Sequence, residues 1–229
     1  WGQRAPRNPL LLVPNALDAA WLERGDRLGF QPRPTDVLIQ ARKSSRYVKD
    51  QLVPALQNSG LTVEVQNGWV EDLVGLFNQS TVYLYDSAEY WSGRGVSEGF
   101  GLPPLEAMAC GCVVFCSLNH ALADHGVSGQ TLHQLGCGFL DFDVQRIKAA
   151  VKDPVAWRPS PNELQSLLDG CSEASLRLQW SAALAQMDAL HACKGPLLRT
   201  PPGWYLRLDP WLQRVRRVVN RFPGWHYAG

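Results

Sequence analysis

Apolar positions along the chain fall into two alternating patterns. Asp36-Val-Leu-Ile-Gln40 is a short continuous apolar run, as in a strand buried on both faces. Val48, Leu52 and Leu56 then recur every fourth residue and predict an amphipathic helix closing near Asn58-Ser-Gly60. Leu61-Thr-Val-Glu-Val65 predicts a second strand, and Val70, Leu73, Val74 and Phe77 a second helix. Thr81-Val-Tyr-Leu-Tyr85 and Cys112-Val-Val-Phe-Cys116 predict two more strands, separated by a loop over 86–101 and a short helix from about 103. Gly138-Phe-Leu-Asp-Phe142 reads as a fifth strand, followed by a helix that turns Val144, Ile147 and Val151 inward. Ser160-Pro-Asn-Glu163 is a capping box with proline at the first helical position, and it opens a helix bearing Leu164, Leu167 and Leu168. A further helix carries Leu176, Trp180, Leu184 and Met187, and all these stripes are expected to be core faces.

Strands alternating with helices predict an α/β fold, a Rossmann-like open parallel sheet with helices on both faces. Ligands of such sheets bind outside the carboxyl ends of the strands, here the loops after Gln40, Val65, Tyr85 and Cys116. The first strand lacks a following GxGxxG, which argues against a dehydrogenase, and neither a nucleophile elbow nor a Walker loop is present.

Composition narrows the class. Among 229 residues, 22 Lys+Arg face 21 Asp+Glu, and this net +1 excludes a whole-chain polyanion binder, so no nucleic acid partner is expected. No apolar run approaches the roughly 20 residues of a membrane span. There is no signal peptide and no initiator methionine, as expected of an excised piece or processed fragment. Cysteines 110, 112, 116, 137, 171 and 193 form no pair of CxxC knuckles, and the five histidines show no metal spacing. The cysteines read as buried small hydrophobes in a reducing compartment, and no metal is expected. Charge is uneven: from 191 onward seven cations face the single Asp209, so the tail carries +6 and the rest −5. The expected layout is an entry segment over 1–31, a ligand-binding domain over 32–190 and a basic, aromatic tail over 191–229.

The most informative segment is Ser97-Glu-Gly-Phe-Gly-Leu-Pro-Pro-Leu-Glu-Ala-Met-Ala-Cys-Gly111. Gly99 and Gly101 permit turn conformations, and Pro103 and Pro104 suit a helix start. Amides near Gly101 and Leu102 would then face out of a helix N-terminus, an arrangement that takes a phosphate. Glu98 and Glu106 flank it, and a carboxylate with two acceptor oxygens matches the paired hydroxyls of a sugar or ribose. The bland alternative, a dipole-complementing Glu106 and a solvated Glu98, carries comparable weight on physics alone.

The Glu-x7-Glu spacing within EGFGLPPLEAMACG resembles the signature of retaining glycosyltransferases of the GT-B fold, family 4 type. Val13-Pro-Asn-Ala-Leu-Asp18 is similar to the VPNGxD entry to the C-terminal domain of that family, with Ala16 in place of the usual glycine. Gly68-Trp69-Val70 resembles the loop beside the nucleotide base. The resemblance covers roughly 13–190, the donor-binding half, and leaves an acceptor-binding N-terminal domain to be supplied elsewhere. It implies that Glu98 holds hydroxyls of the donor sugar and that Gly99, Phe100, Gly101 and Leu102 meet sugar and diphosphate. It implies also that Glu106 binds the ribose, and it places an Arg and a Lys after the first strand to neutralise the departing diphosphate. Arg42 fits the Arg position; Tyr47 falls where the Lys belongs, so Lys43, Arg46 or Lys49 must serve, with Arg46 and Lys49 favoured. Tyr90, Trp91 and Arg94 lie in a loop longer than the family norm and either touch the sugar or act as a lid. Asn119 and His120, after the fourth strand, border the cleft in this reading.

The implied function is transfer of a sugar, with retention, from a nucleotide diphosphate sugar to an acceptor hydroxyl, without cofactor or metal. The alternatives are a non-catalytic nucleotide-sugar-binding or interaction module and a nucleotide-sugar epimerase. The expected partners are the donor, a glycan or lipid-linked acceptor, and the N-terminal domain. The tail stripe Leu212, Val215, Val219 and Phe222, with Arg214, Arg217 and Arg221, suits a final helix crossing back onto that domain. It also suits an anionic membrane surface contacted through 204–225, so a cytoplasmic protein peripheral to the inner membrane face is expected.

Overall fold

The computed structural model describes residues 10–136 and 139–192. It divides into two compact units, Val13–Ser181 and a second of Trp1–Leu12 with Ala182–Gly229. The sheet and the candidate site both belong to the first. The tail helix, the membrane-surface segment and Cys137 and Cys193 lie outside the described residues.

Asp18 opens α1 (Ala19–Arg24) by accepting from the Ala20 amide at 2.8 Å. β1 (Thr35–Gln40) follows, and then a π-helical turn, Tyr47–Leu52, runs into α2 (Val53–Asn58). The widened turn lies directly before Pro54, which has no N–H to give the carbonyl of Asp50 and whose ring crowds it. β2 (Val63–Gln66), α3 (Leu73–Asn78) and β3 (Ser80–Tyr85) come next. The long loop after β3 contains a short helix, α4 (Ala88–Ser92), before α5 (Leu102–Ala109) and β4 (Val113–Cys116). The body closes with β5 (His133–Gln134), α6 (Leu140–Lys152), α7 (Pro161–Gly170) and α8 (Glu173–Ala192). The Ser160–Glu163 capping box at α7 is formed in both directions.

All five strands run parallel in the order β2-β1-β3-β4-β5. Val37 pairs with Val63 on one side and Val82 on the other, so β1 and β3 form the middle of the sheet. Side chains alternate between faces with period two. Leu38, Tyr83, Tyr85, Val114 and Cys116 pack with Trp21, Phe77, Leu105, Met108 and Leu168 under α1, α3, α5 and α7. Val37, Ile39, Val82, Leu84, Val113 and Phe115 pack with Val48, Leu52, Leu56 and Ile147 under α2 and α6. Cys110, Cys112, Cys116 and Cys171 are free and buried, as small hydrophobes.

Two expectations need correction. The fifth strand is His133–Gln134, and the segment read as that strand lies partly at the start of α6, which begins at Leu140. Leu140, Val144, Ile147 and Val151 all meet the core, a helical series, whereas Phe139 and Phe142 stay exposed. Asp143 anchors that first turn from a buried position, accepting from Tyr47 Oη at 2.7 Å and the Gly136 amide at 2.9 Å. The stripe on α8 is not a core face among the described residues: Trp180, Leu184 and Met187 are 52%, 53% and 43% exposed.

Candidate functional site

The strand order turns back between β1 and β3, since β1 leads to β2 on one side and β3 leads to β4 on the other. At such a switch point the loops leaving neighbouring strands diverge and leave a crevice at their carboxyl ends. Two loops meet there, 41–46 after β1 and 86–101 after β3.

Glu98 lies at the centre and is 6% exposed. Its Oε2 accepts from Tyr85 Oη at 2.6 Å, Ser87 Oγ at 3.0 Å and Trp91 Nε1 at 2.7 Å. Burial works to raise its pKa, but the bonds from Tyr85 and Trp91, the Lys43 charge and the Ser87 bond outweigh it, and the carboxyl sits below its usual range. Lys43 Nζ lies 3.3 Å from Tyr85 Oη and 4.9 Å from the centre of the Trp91 ring. Burial raises Glu106 to about 7, with the Lys43 charge pulling the other way. One ammonium thus acts on two differently tuned carboxyls, Glu98 held ionised and Glu106 balanced near neutrality.

Gly101, at φ +83°, is the N-cap of α5. Pro103 and Pro104 carry no amide hydrogen, so the donors at this helix end are few. Among the described residues the amides of Gly99, Phe100, Gly101 and Leu102 donate to no protein acceptor. The Phe100 carbonyl is bonded to His125 Nε2, and the two rings meet edge to face at 4.6 Å. His125 and His133 are both buried and tied to backbone carbonyls, with pKa values lowered by burial. A pocket of about 360 Å³ is lined by Trp91, the donor to Glu98, and by Val96, Ser97 and Asn119 among others. No group of three His, Cys, Asp or Glu placed to hold a metal occurs among the described residues.

The other cations stand apart from the two acids. Arg46 is exposed and pairs with Glu89 at 3.6 Å, while Lys49 lies exposed on the π-helical turn. Arg42 is exposed and makes no ion pair or side-chain hydrogen bond among the described residues. Gly68, at φ +82°, sits after β2 with Trp69 84% exposed and Val70 half-buried beside it. Arg94 stacks on Tyr90 at 3.6 Å. The sequence reading missed Tyr85 and Ser87 as partners of Glu98. The available signal was Tyr85 as the last strand residue on the face of Tyr83, aimed at the crevice by the period of two.

Residues 48–132 match the family described as glycosyl transferases group 1. A stretch of 52 residues is 42% identical to the O-antigen chain mannosyltransferase B of Escherichia coli, covering 23% of this chain and 14% of that protein. AviGT4, a glycosyltransferase involved in avilamycin A biosynthesis, superposes with a TM-score of 0.54 at 15% identity, over 78% of this chain and 58% of its own. HepE of Anabaena in complex with UDP-glucose gives a TM-score of 0.47 at 16% identity, over 81% of this chain and 51% of its own. The chain thus spans little more than half of either structure and a small part of the curated relative. Residues 48–132 thus resemble that family over part of the chain, and the parallel, Rossmann-like sheet is a fold shared with AviGT4.

Proposed function

We propose that this chain is the donor-binding domain of a retaining glycosyltransferase, moving a hexose from a nucleotide diphosphate sugar to an acceptor hydroxyl. The observation that carries this reading is the convergence of Glu98, Glu106, Lys43 and the unbonded amides of Gly99–Leu102 at the β1/β3 crevice. The amides and Lys43 face the diphosphate, Glu106 the ribose diol and Glu98 the sugar hydroxyls. The bond between the anomeric carbon and the β-phosphate oxygen breaks, the acceptor oxygen bonds to that carbon on the same face, and the hydroxyl proton leaves with the nucleoside diphosphate. Fixed positive charge stabilises this leaving group without a metal. Lys43 supplies it in the position that the family gives to a later lysine, with Arg42 free to swing in from its exposed station. Gly68 to Val70 border the base. A further domain contributes the acceptor contacts, so the isolated chain binds donor and turns over slowly. The protein works on the cytoplasmic side, on a glycan or lipid-linked acceptor, with 204–225 touching the membrane surface.

Thermal shifts against UDP, GDP, ADP and dTDP test the reading. One nucleotide should raise Tm through mass action, and Glu106→Ala should abolish that rise. No shift with any of the four, confirmed by calorimetry, would overturn it.

A further inference from the structure

We infer that Trp91 is a positioning residue for the donor sugar: with Tyr85 and Ser87 it fills Oε2 of Glu98, so that Oε1 alone is presented to a sugar hydroxyl. This rests on the donor-binding reading and goes beyond it by assigning a role to the long loop after β3.

A carboxylate offers about four lone-pair directions on two oxygens. At Glu98 one oxygen takes all three protein donors, each within 3.0 Å. Oε1 accepts none and keeps some solvent access, although the residue as a whole is 6% exposed. The carboxyl plane is therefore fixed by its far side, and the near side points one acceptor at the ligand. The three donors come from two structural origins. Tyr85 ends a central strand and Ser87 follows it by two residues, so both are held by the sheet. Trp91 comes from α4, a five-residue helix with no buried residue of its own. A helix that short is not stable by itself. Its indole N–H on Glu98 and its ring under Lys43 join it to the crevice, beside Glu89, which accepts from the Arg46 amide at 2.7 Å. The same indole lines the 360 Å³ pocket with Ser97 and Asn119, so the group that orients Glu98 also walls the adjoining space. Carboxylate acceptors that share three donors are weakened as bases and nucleophiles, and the task left to Glu98 is to accept a hydroxyl in a fixed direction.

The assignment separates sugar from nucleotide. Trp91→Phe keeps an aromatic ring and deletes the N–H donor; Tyr85→Phe deletes the phenolic donor from the sheet side. Calorimetry compares UDP with UDP-glucose and GDP with GDP-mannose on the full chain, choosing the pair that wild type binds. The expected result is that each variant binds the nucleotide sugar about tenfold more weakly, the usual effect of deleting one charge-assisted hydrogen bond, with the free nucleotide within about twofold of wild type in Trp91→Phe and losing less than the sugar in Tyr85→Phe, which also frees Lys43. The low-pH limb of nucleotide-sugar binding should also move to higher pH in both variants, because each removes a bond that favours ionised Glu98; a merely structural effect would not move it. Equal loss for sugar and free nucleotide, or no loss in either variant, overturns the positioning role while leaving the donor reading intact. Failure of wild type to bind UDP, GDP, ADP or dTDP, free or as their sugars, overturns both.

Discussion

Glu106 is the residue at which folding and the proposed binding pull in opposite directions. Burial holds its carboxyl at about 7, well above the usual value of 4.5. A carboxyl with a raised folded pKa binds more protons in the native state than in the unfolded chain. Its contribution to stability is then greatest below 4.5 and declines as pH rises toward 7. Glu106→Gln carries no charge, so it should be more stable than wild type at pH 8 by about 1–3 kcal/mol and nearly equal at pH 4. Urea melts at the two pH values measure this, and an advantage at pH 4 as large as at pH 8 would refute it. If Glu106 accepts ribose hydroxyls as a carboxylate, the same variant gains stability and loses nucleotide affinity. Such a trade of stability against function is common at binding sites.

At the scale of elements, the turn into α5 decides where the unbonded amides of Gly99–Leu102 point. Gly101 holds φ +83°, and a Cβ built there would lie 2.2 Å from Leu122 Cδ2 and 3.3 Å from its Cγ. Gly101→Ala therefore meets both backbone strain and a side-chain clash, and should cost about 1–3 kcal/mol with weaker nucleotide binding. Gly99 two residues earlier has nothing within 4 Å of a built Cβ and no positive φ, so Gly99→Ala should change stability by under about 0.5 kcal/mol. Paired denaturant curves compare them; equal costs would mean that Gly101 is not the constrained glycine. This turn was legible in the sequence because glycine, two prolines and two acids at fixed spacing encode it locally. β1, β3 and β4 were legible for a similar reason, as short apolar runs whose burial is complete. The start of α6 was not, because Phe139, Leu140 and Phe142 read as a short apolar run although both phenylalanines remain exposed, and the residue that fixes the helix start is the buried Asp143. A buried acid partnered across 96 residues leaves no local signature. The donors to Glu98 were hidden for the same reason, and Lys43 drew less weight than Arg46 because spacing from Arg42 does not reveal which side chain turns back toward Tyr85.

Across the whole body, the crevice end of the sheet is balanced by a clamp near the other end. Arg33, with a side chain 7% exposed, donates to the carbonyls of Ser80, Asp26 and Cys110 and pairs with the Asp26 carboxylate at 3.3 Å. It thereby ties the segment before β1 to the start of β3 and the end of α5, residues far apart in sequence. Asp26 is held below its usual pKa: burial opposes this, and amide bonds from Gln31 and Phe30 together with the Arg33 charge prevail. Arg33→Ala would leave a nearly buried carboxylate short of its cation and three carbonyls each short of one donor. The expected cost is about 3–5 kcal/mol, the range for breaking a buried pair from one side. For a body of this size that corresponds to a Tm lower by roughly 6–20 °C. The proposed nucleotide site lies at the carboxyl ends of the strands, whereas Arg33 works at the amino ends of β3 and β4. Below its melting range the variant should therefore bind nucleotide with an affinity within about twofold of wild type, since separated sites contribute independently. A variant that melts as wild type does would remove the clamp from the account of stability. One that binds nucleotide poorly while still fully folded would instead mean that the two ends of the sheet are coupled through α5, whose first residue belongs to the proposed site and whose last turn leads to the Cys110 carbonyl that Arg33 holds.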